Sequence, residues 1–289
     1  EGIFGFAVMH EQDIRVAVVQ MTSRVGHPSH NIDRIEDFLA DAARTQVDIV
    51  CFPELSVSGY QTRREGSDFL PQPEPVPGPS TERLADLGKR HGVTFLAGLL
   101  ESDLGGIVYN TQVVIDPQGL AGSYRKSHVG TSEIGTWCQG DSAPVFDHPK
   151  ARFGIEICYD SHHPELSNEL ASRGAEILFF PCASAGESFD EKFERWQRFM
   201  PARANDNTLF IAACNQVGDN GTDHAFPGVS FICDPVGRII ANCKDGSAEE
   251  MIVADLSATD LDEARSVPEM FFRHFKRPEL YSEWQRQRR

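Results

Sequence analysis

Apolar and polar positions change over along this chain in short blocks. Ile14 to Met21, Val47 to Phe52, Val93 to Leu100, Val108 to Ile115, Phe153 to Cys158 and Ile177 to Phe180 are largely apolar, the pattern of strands covered on both faces. Between several of them the apolar spacing widens to three and four, over Asn31 to Thr45, Ser80 to His91, Pro164 to Arg173 and Phe189 to Asn205. Those stretches predict helices with one buried stripe, and the alternation predicts α/β layering. Further on, Thr208 to Ala213, Gly228 to Asp234, Gly237 to Ala241 and Met251 to Asp255 leave little room for helices, so the sheets should be mixed. Asp116-Pro-Gln-Gly and Asp234-Pro-Val-Gly carry turn chemistry and predict two hairpins. The proline-rich stretch from Pro71 to Pro79 reads as a rigid surface loop that enters a helix capped near Ser80.

With 289 residues, 40% of them hydrophobic, the chain can bury one large core. The expected division is an N-terminal extension over 1–10, one domain over 11–256, and a tail over 257–289. That tail carries Met270, Phe271, Phe272, Phe275 and Tyr281, and it is expected to pack at the interface of a homodimer or higher homo-oligomer. A net charge of -16 argues against nucleic acid as a partner. No apolar run approaches the roughly 18 residues of a membrane span, so no membrane partner is expected. The opening segment has neither the basic start nor the small-residue cleavage site of a signal peptide. Seven widely spaced cysteines, an odd number, suggest reduced thiols and a cytoplasmic protein.

Three segments carry candidate chemistry. In Phe52-Pro-Glu54-Leu-Ser-Val-Ser-Gly-Tyr60 a carboxylate follows a buried strand. Apolar surroundings would raise its pKa toward that of a useful base, although a solvated loop glutamate fits the same residues. In Gly122-Ser-Tyr-Arg-Lys126-Ser-His128, with Glu133 seven residues beyond the lysine, an ammonium can meet a developing oxyanion; an exposed basic pair is the plainer alternative. In Phe153-Gly-Ile-Glu-Ile-Cys158-Tyr-Asp-Ser-His-His-Pro-Glu165 a strand ends at a cysteine just before a helix. Such a turn exposes a nucleophile and aims the following amides at a carbonyl. The abrupt switch from apolar to polar after Cys158 weighs against a plain core cysteine.

Taken in order, the three segments resemble the nitrilase, or carbon-nitrogen hydrolase, superfamily, in its amidase and carbamoylase-like branch. The resemblance extends from about Ile14 to Asp255 through Ala17-Val-Val-Gln20, Gly174-Ala-Glu176, Arg203-Ala-Asn-Asp-Asn207 and Asn215-Gln-Val-Gly218. It implies a four-layer α-β-β-α sandwich of two mixed sheets, and a hydrolase that cuts a non-peptide carbon-nitrogen bond through a thioester. Glu54, Lys126 and Cys158 would form the catalytic triad, with Glu133 orienting Lys126 and substrate. A free thiol titrates near about 8.5, so Glu54 would take its proton. Lys126 and the Tyr159 amide would hold the oxyanion. Tyr60, His128, Tyr159, His162 and Ser184 are expected to bind a small amide, carbamoyl or nitrile substrate, with no cofactor and no metal. Gln139-Gly140-Asp141 stands where the family often has Pro-Gly-Asp, and His162-His163 where less polar or aromatic side chains are common.

Other readings remain at this point. Asp160, His162 and His163, with His128 and Cys158, would suit a metal, but adjacent histidines in a strand face opposite ways and no paired-ligand spacing is present. A Cys-His peptidase would pair Cys158 with His162 or His163. A binding protein that retains the fold without turnover is the third.

Overall fold

The computed structural model describes residues 12–62, 71–222 and 224–287; the extension expected over 1–10 lies outside them. One sheet begins with β1 (Ile14–Gln20), followed after helix α1 (Pro28–Arg44) by β2 (Ile49–Cys51), and after α2 (Pro79–His91) by β3 (Thr94–Ser102), β4 (Val108–Asp116) and β5 (Gly119–Arg125). The second contains β6 (Val145–His148), β7 (Ala151–Ile155), β8 (Ile177–Cys182) and β9 (Phe210–Asn215). Between these strands come α3 (Pro164–Ser172), α4 (Phe189–Gln197) and α5 (Met200–Asn207). A short ribbon of β10 (Val217–Asp219) and β11 (Ala225–Pro227) precedes β12 (Phe231–Cys233) and β13 (Ile239–Asn242). The last strand, β14 (Glu250–Leu256), returns to the first sheet before α6 (Ala258–Ser266) and α7 (Pro278–Gln287).

The sheet orders are β14-β1-β2-β3-β4-β5 and β13-β12-β9-β8-β7-β6. In each, three central strands run parallel and their outer neighbours antiparallel, so both sheets are mixed. Strand alternation assigns the layers. Val16, Val18, Ile49 and Cys51 meet Phe153, Ile155, Phe179 and Ala212 between the sheets. Ala17, Val19, Val50 and Phe95 turn outward onto Ile32, Ile35, Leu39, Leu84 and Leu87 of α1 and α2. On the other side, Leu178, Phe180, Ile211 and Ala213 pack with Leu166, Leu170, Trp196, Met200 and Ala204 of α3, α4 and α5. The result is the four-layer α-β-β-α sandwich.

Local chemistry moves several predicted boundaries. The helix expected from Phe189 to Asn205 is two helices. Pro201 removes a backbone donor and bars the helical conformation of the residue before it from a continuous run, so Pro201 falls in the first turn of α5. The α2 cap is Gly78 rather than Ser80: its N–H donates to Thr81 Oγ1 at 2.7 Å, while the Ser80 N–H goes to Glu74 at 2.8 Å. Both predicted hairpins form, joining β4 to β5 and β12 to β13. β6 and the β10-β11 ribbon escape sequence reading because each is short and partly exposed. All seven cysteines are unpaired. Among the described residues no helix is long and apolar enough to cross a membrane.

Candidate active site

The loop after β2 carries Glu54 and lies directly on β3. A side chain at Gly98 would meet the Leu55 nitrogen at 2.3 Å. With only hydrogen there, the Val57 N–H reaches the Gly98 carbonyl at 2.8 Å. Leu55 takes a left-handed φ of 51°, which turns the chain sharply just past the glutamate. Gln216 closes the loop from the second sheet, its Nε2 donating to the Glu54 carbonyl at 2.9 Å. The Glu54 carboxylate is fully buried. Its Oε1 accepts from Asn110 Nδ2 at 2.7 Å and from Lys126 Nζ at 2.7 Å, and its Oε2 accepts from the Ala183 N–H at 2.7 Å.

Lys126 follows the end of β5. Its backbone is held on both sides, donating to the Asn110 carbonyl and accepting from the Gly140 N–H, each at 2.8 Å. The glycine in Gln139-Gly140-Asp141 is required there, since a side chain would meet the Arg125 carbonyl oxygen at 2.3 Å. The buried ammonium also donates to Glu133 Oε1 at 2.6 Å. Glu133 in turn accepts from the Tyr60 hydroxyl at 3.1 Å and from the Gly130 N–H at 2.5 Å. Glu54, Lys126, Glu133 and Tyr60 therefore form one buried cluster.

Burial raises the Glu54 pKa above its usual range; the Lys126 charge opposes that rise and the Glu133 charge reinforces it. Burial alone would depress the Lys126 ammonium, yet the two carboxylates hold it well above its ordinary value. Burial, then the Glu133 and Glu54 charges, push the Tyr60 hydroxyl up. The site thus holds a fixed cation beside a carboxylate whose affinity for a proton is raised.

Cys158 lies three residues beyond the end of its strand. β7 stops at Ile155, and a 3-10 turn over Cys158–His162 leads into α3. Cys158 has a φ of 49°, a left-handed conformation that costs a side-chain-bearing residue about 1 kcal/mol or more. The turn is tied from several directions. Ser161 Oγ donates to the Cys158 carbonyl at 2.6 Å, and the Asp160 N–H donates to the Ile157 carbonyl at 3.0 Å. The half-buried thiol lies within electrostatic reach of both Lys126 and Tyr60, and Cys182 packs behind it.

The remaining predicted binding residues fall into two groups. Tyr159 is 40% exposed and lies near His162 and His163, with ring centroids 5.4 and 5.7 Å away. His162 leans on Phe199 at 4.4 Å. His128 stacks on His163 at 3.8 Å and turns its Nδ1 to Asp160, 2.9 Å away. These histidines are spread over separate partners, and among the described residues no group of three or more His, Cys, Asp or Glu is arranged to hold a metal ion. Ser184 sits apart on the loop after β8, where its hydroxyl accepts from Lys192 Nζ at 2.8 Å. Asn215 grips the same loop, accepting from the Ser184 N–H at 2.8 Å and donating to its carbonyl at 3.1 Å.

Sequence reading passed over Asn110 and the Ala183 amide, both direct partners of Glu54. Asn110 did leave a trace, as the first of three consecutive polar residues within the apolar run of β4. The Ala183 amide leaves none, because a backbone donor has no residue type.

Comparison with known proteins agrees with this architecture. The model of the carbon-nitrogen hydrolase family matches residues 15–266. Omega-amidase NIT2 of Xenopus tropicalis is 32% identical over 268 residues, covering 88% of this chain and 92% of that protein. A citrullinase of Francisella tularensis is 30% identical, with 94% and 98% covered. Among solved structures, the NitN amidase of Nesterenkonia sp. AN1 superposes with a TM-score of 0.79 at 25% identity, covering 94% of this chain and 99% of that one. With the family model spanning all three motif segments and both sheets of the sandwich, the chain belongs to the carbon-nitrogen hydrolase family.

Proposed function

We propose that this protein hydrolyses the carbon-nitrogen bond of a small amide or N-carbamoyl compound through a thioester on Cys158. The observation that carries the reading is the fully buried Lys126 ammonium, held between Glu54 and Glu133 at 2.7 and 2.6 Å, beside a cysteine in a strained turn. Burying a charge is costly unless it is paired and used. The amidase and citrullinase names of the relatives support an amide or a carbamoyl group as the target.

Glu54 takes the Cys158 proton, and the thiolate adds to the substrate carbonyl carbon. Charge moves to the carbonyl oxygen, where Lys126 and the Tyr159 N–H stabilise it; one well-placed donor contributes about 3 to 4 kcal/mol. The carbon-nitrogen bond then breaks, the departing nitrogen takes the proton from Glu54, and ammonia or an amine leaves behind a thioester. Glu54 next deprotonates a water that attacks the thioester carbon, and the thiol leaves with that proton. A carboxyl group whose pKa is raised by burial is a stronger base than an ordinary glutamate and can hand the same proton on. Glu133 keeps Lys126 aimed, and Tyr60, His128, Tyr159, His162 and Ser184 shape the approach.

The test is ammonia release from aliphatic amides, N-carbamoyl compounds and nitriles, with Cys158→Ala as control. Release from an amide or N-carbamoyl compound, abolished in the variant, is the expected result. Release from none of the three, or undiminished release by Cys158→Ala, overturns the reading. The domain itself is read as 11–256. Exposed Val267, Met270, Phe272 and Phe275 support packing of the tail against a second subunit, which sedimentation of the intact chain tests.

A further inference from the structure

One carboxylate outside the Glu54-Lys126-Glu133 cluster joins two of the three motif segments. Asp160 is fully buried, and both of its oxygens are used. Oδ2 accepts from the Ile157 N–H at 2.9 Å, immediately before the nucleophile, and from the Tyr124 hydroxyl at 2.8 Å, two residues before the lysine. Oδ1 accepts from the His128 N–H at 2.8 Å, two residues after the lysine, and faces His128 Nδ1 at 2.9 Å. Lys126 is thus bracketed on its own chain by two residues that both answer to Asp160. The stack of His128 on His163, 3.8 Å between centroids, covers the outer side of this node.

We propose that Asp160 is a positioning residue that fixes the Lys126 ammonium relative to the Cys158 thiol and holds Cys158 in its left-handed conformation. The inference rests on the hydrolase reading for its kinetic readout, and it deepens that reading by naming what sets the spacing of two of its groups. A strained residue persists only where its surroundings over-determine it. The Asp160 carboxylate, reaching back to Ile157, and the Ser161 hydroxyl on the Cys158 carbonyl supply that constraint. Misplacing a reacting group by a fraction of the distance between it and its partner costs turnover without loosening substrate binding.

Two substitutions separate positioning from mere support. Tyr124→Phe removes one hydroxyl and keeps the ring, so the fold should survive. Asp160→Asn keeps the shape, but an amide has one oxygen, so either the His128 N–H or the Ile157 N–H is left facing an amide NH2 group. Four quantities are measured for each: kcat, KM, the melting midpoint, and the rate at which iodoacetamide alkylates Cys158, located by mass spectrometry. Tyr124→Phe should lower kcat about 3- to 10-fold with KM unchanged within about twofold, the size of one lost neutral hydrogen bond. Asp160→Asn should lower it on the order of 100-fold, as expected when a buried donor is stranded. Alkylation should slow in the same order while the melting midpoint of Tyr124→Phe stays near wild type. Wild-type kcat and alkylation in Tyr124→Phe would overturn the proposal, as would losses that merely follow the folded fraction. If wild-type protein hydrolyses no amide, the hydrolase reading fails, and the alkylation rates alone decide for or against positioning.

Discussion

Lys126 Nζ lies 2.7 Å from Glu54 Oε1, and neither side chain has any exposed surface. The two residues reach this contact from different strands of one sheet, 72 positions apart in sequence. Their contact is therefore a property of the folded sheet, and each residue makes the burial of the other tolerable.

Removing the cation should accordingly damage the fold as well as turnover. Lys126→Met keeps the length and leaves Glu54 and Glu133 buried without a counter-charge, which typically costs about 3 to 5 kcal/mol. Urea unfolding is expected to show a loss of that order together with absent ammonia release. A variant as stable as wild type would contradict the pairing described here.

Gly98 offers a test from outside the cluster. Gly98→Ala would place a methyl group 2.3 Å from the Leu55 nitrogen, displacing the loop that presents Glu54. We expect kcat to fall by at least about tenfold, since small misplacements near a reacting group are costly, with a lower melting midpoint.

The paired histidines give a pH dependence with a definite sign. His162 is lowered from 6.5 by burial and then by the Arg195, His163 and Arg203 charges; His163 is lowered by burial and then by His128. A folded pKa below the unfolded one means that the unfolded chain binds protons first. Stability from these two groups is complete above about pH 6.5 and declines as pH falls through their lowered values. Between pH 7.5 and 5 the melting midpoint of wild type should fall relative to that of His162→Phe, which removes one of the two groups.

Glu156 has the opposite sign. It is fully buried two residues before Cys158, against the Ser167 hydroxyl. Burial holds its pKa well above 4.5. The folded state therefore keeps a proton that the unfolded chain releases, and the resulting stability is full below pH 4.5 and lost as pH rises through the folded value. Glu156→Gln should raise the melting midpoint, and the gain should grow between pH 5 and 8. A gain independent of pH would show that ionisation is not the cause.

How legible the molecule was depended on whether a feature lay in side-chain types or in backbone geometry. The sheets were readable because parallel central strands, buried on both faces, become continuous apolar runs such as Ile177 to Phe180. The helix break before Pro201 was written in the sequence but lost under an apolar spacing that carries through it. Glu54, Lys126 and Cys158 were visible as motif residues, and their alternatives could be weighed only once burial was known. The partners that hold them were less visible. Ala183 contributes only its N–H, and Asp160 looked like a possible metal ligand until its oxygens were seen to meet Tyr124, Ile157 and His128.

The pairing of β1 with β14 has a consequence for synthesis. Arg15 bonds to Asp255 across 240 positions, so one neighbour of β1 emerges from the ribosome long after β1 itself. Until then β1 is an edge strand rich in valine, a ready template for pairing with another chain. Contacts so distant in sequence also slow folding. Truncation before Glu250 would leave that edge open permanently, and such fragments should aggregate rather than fold.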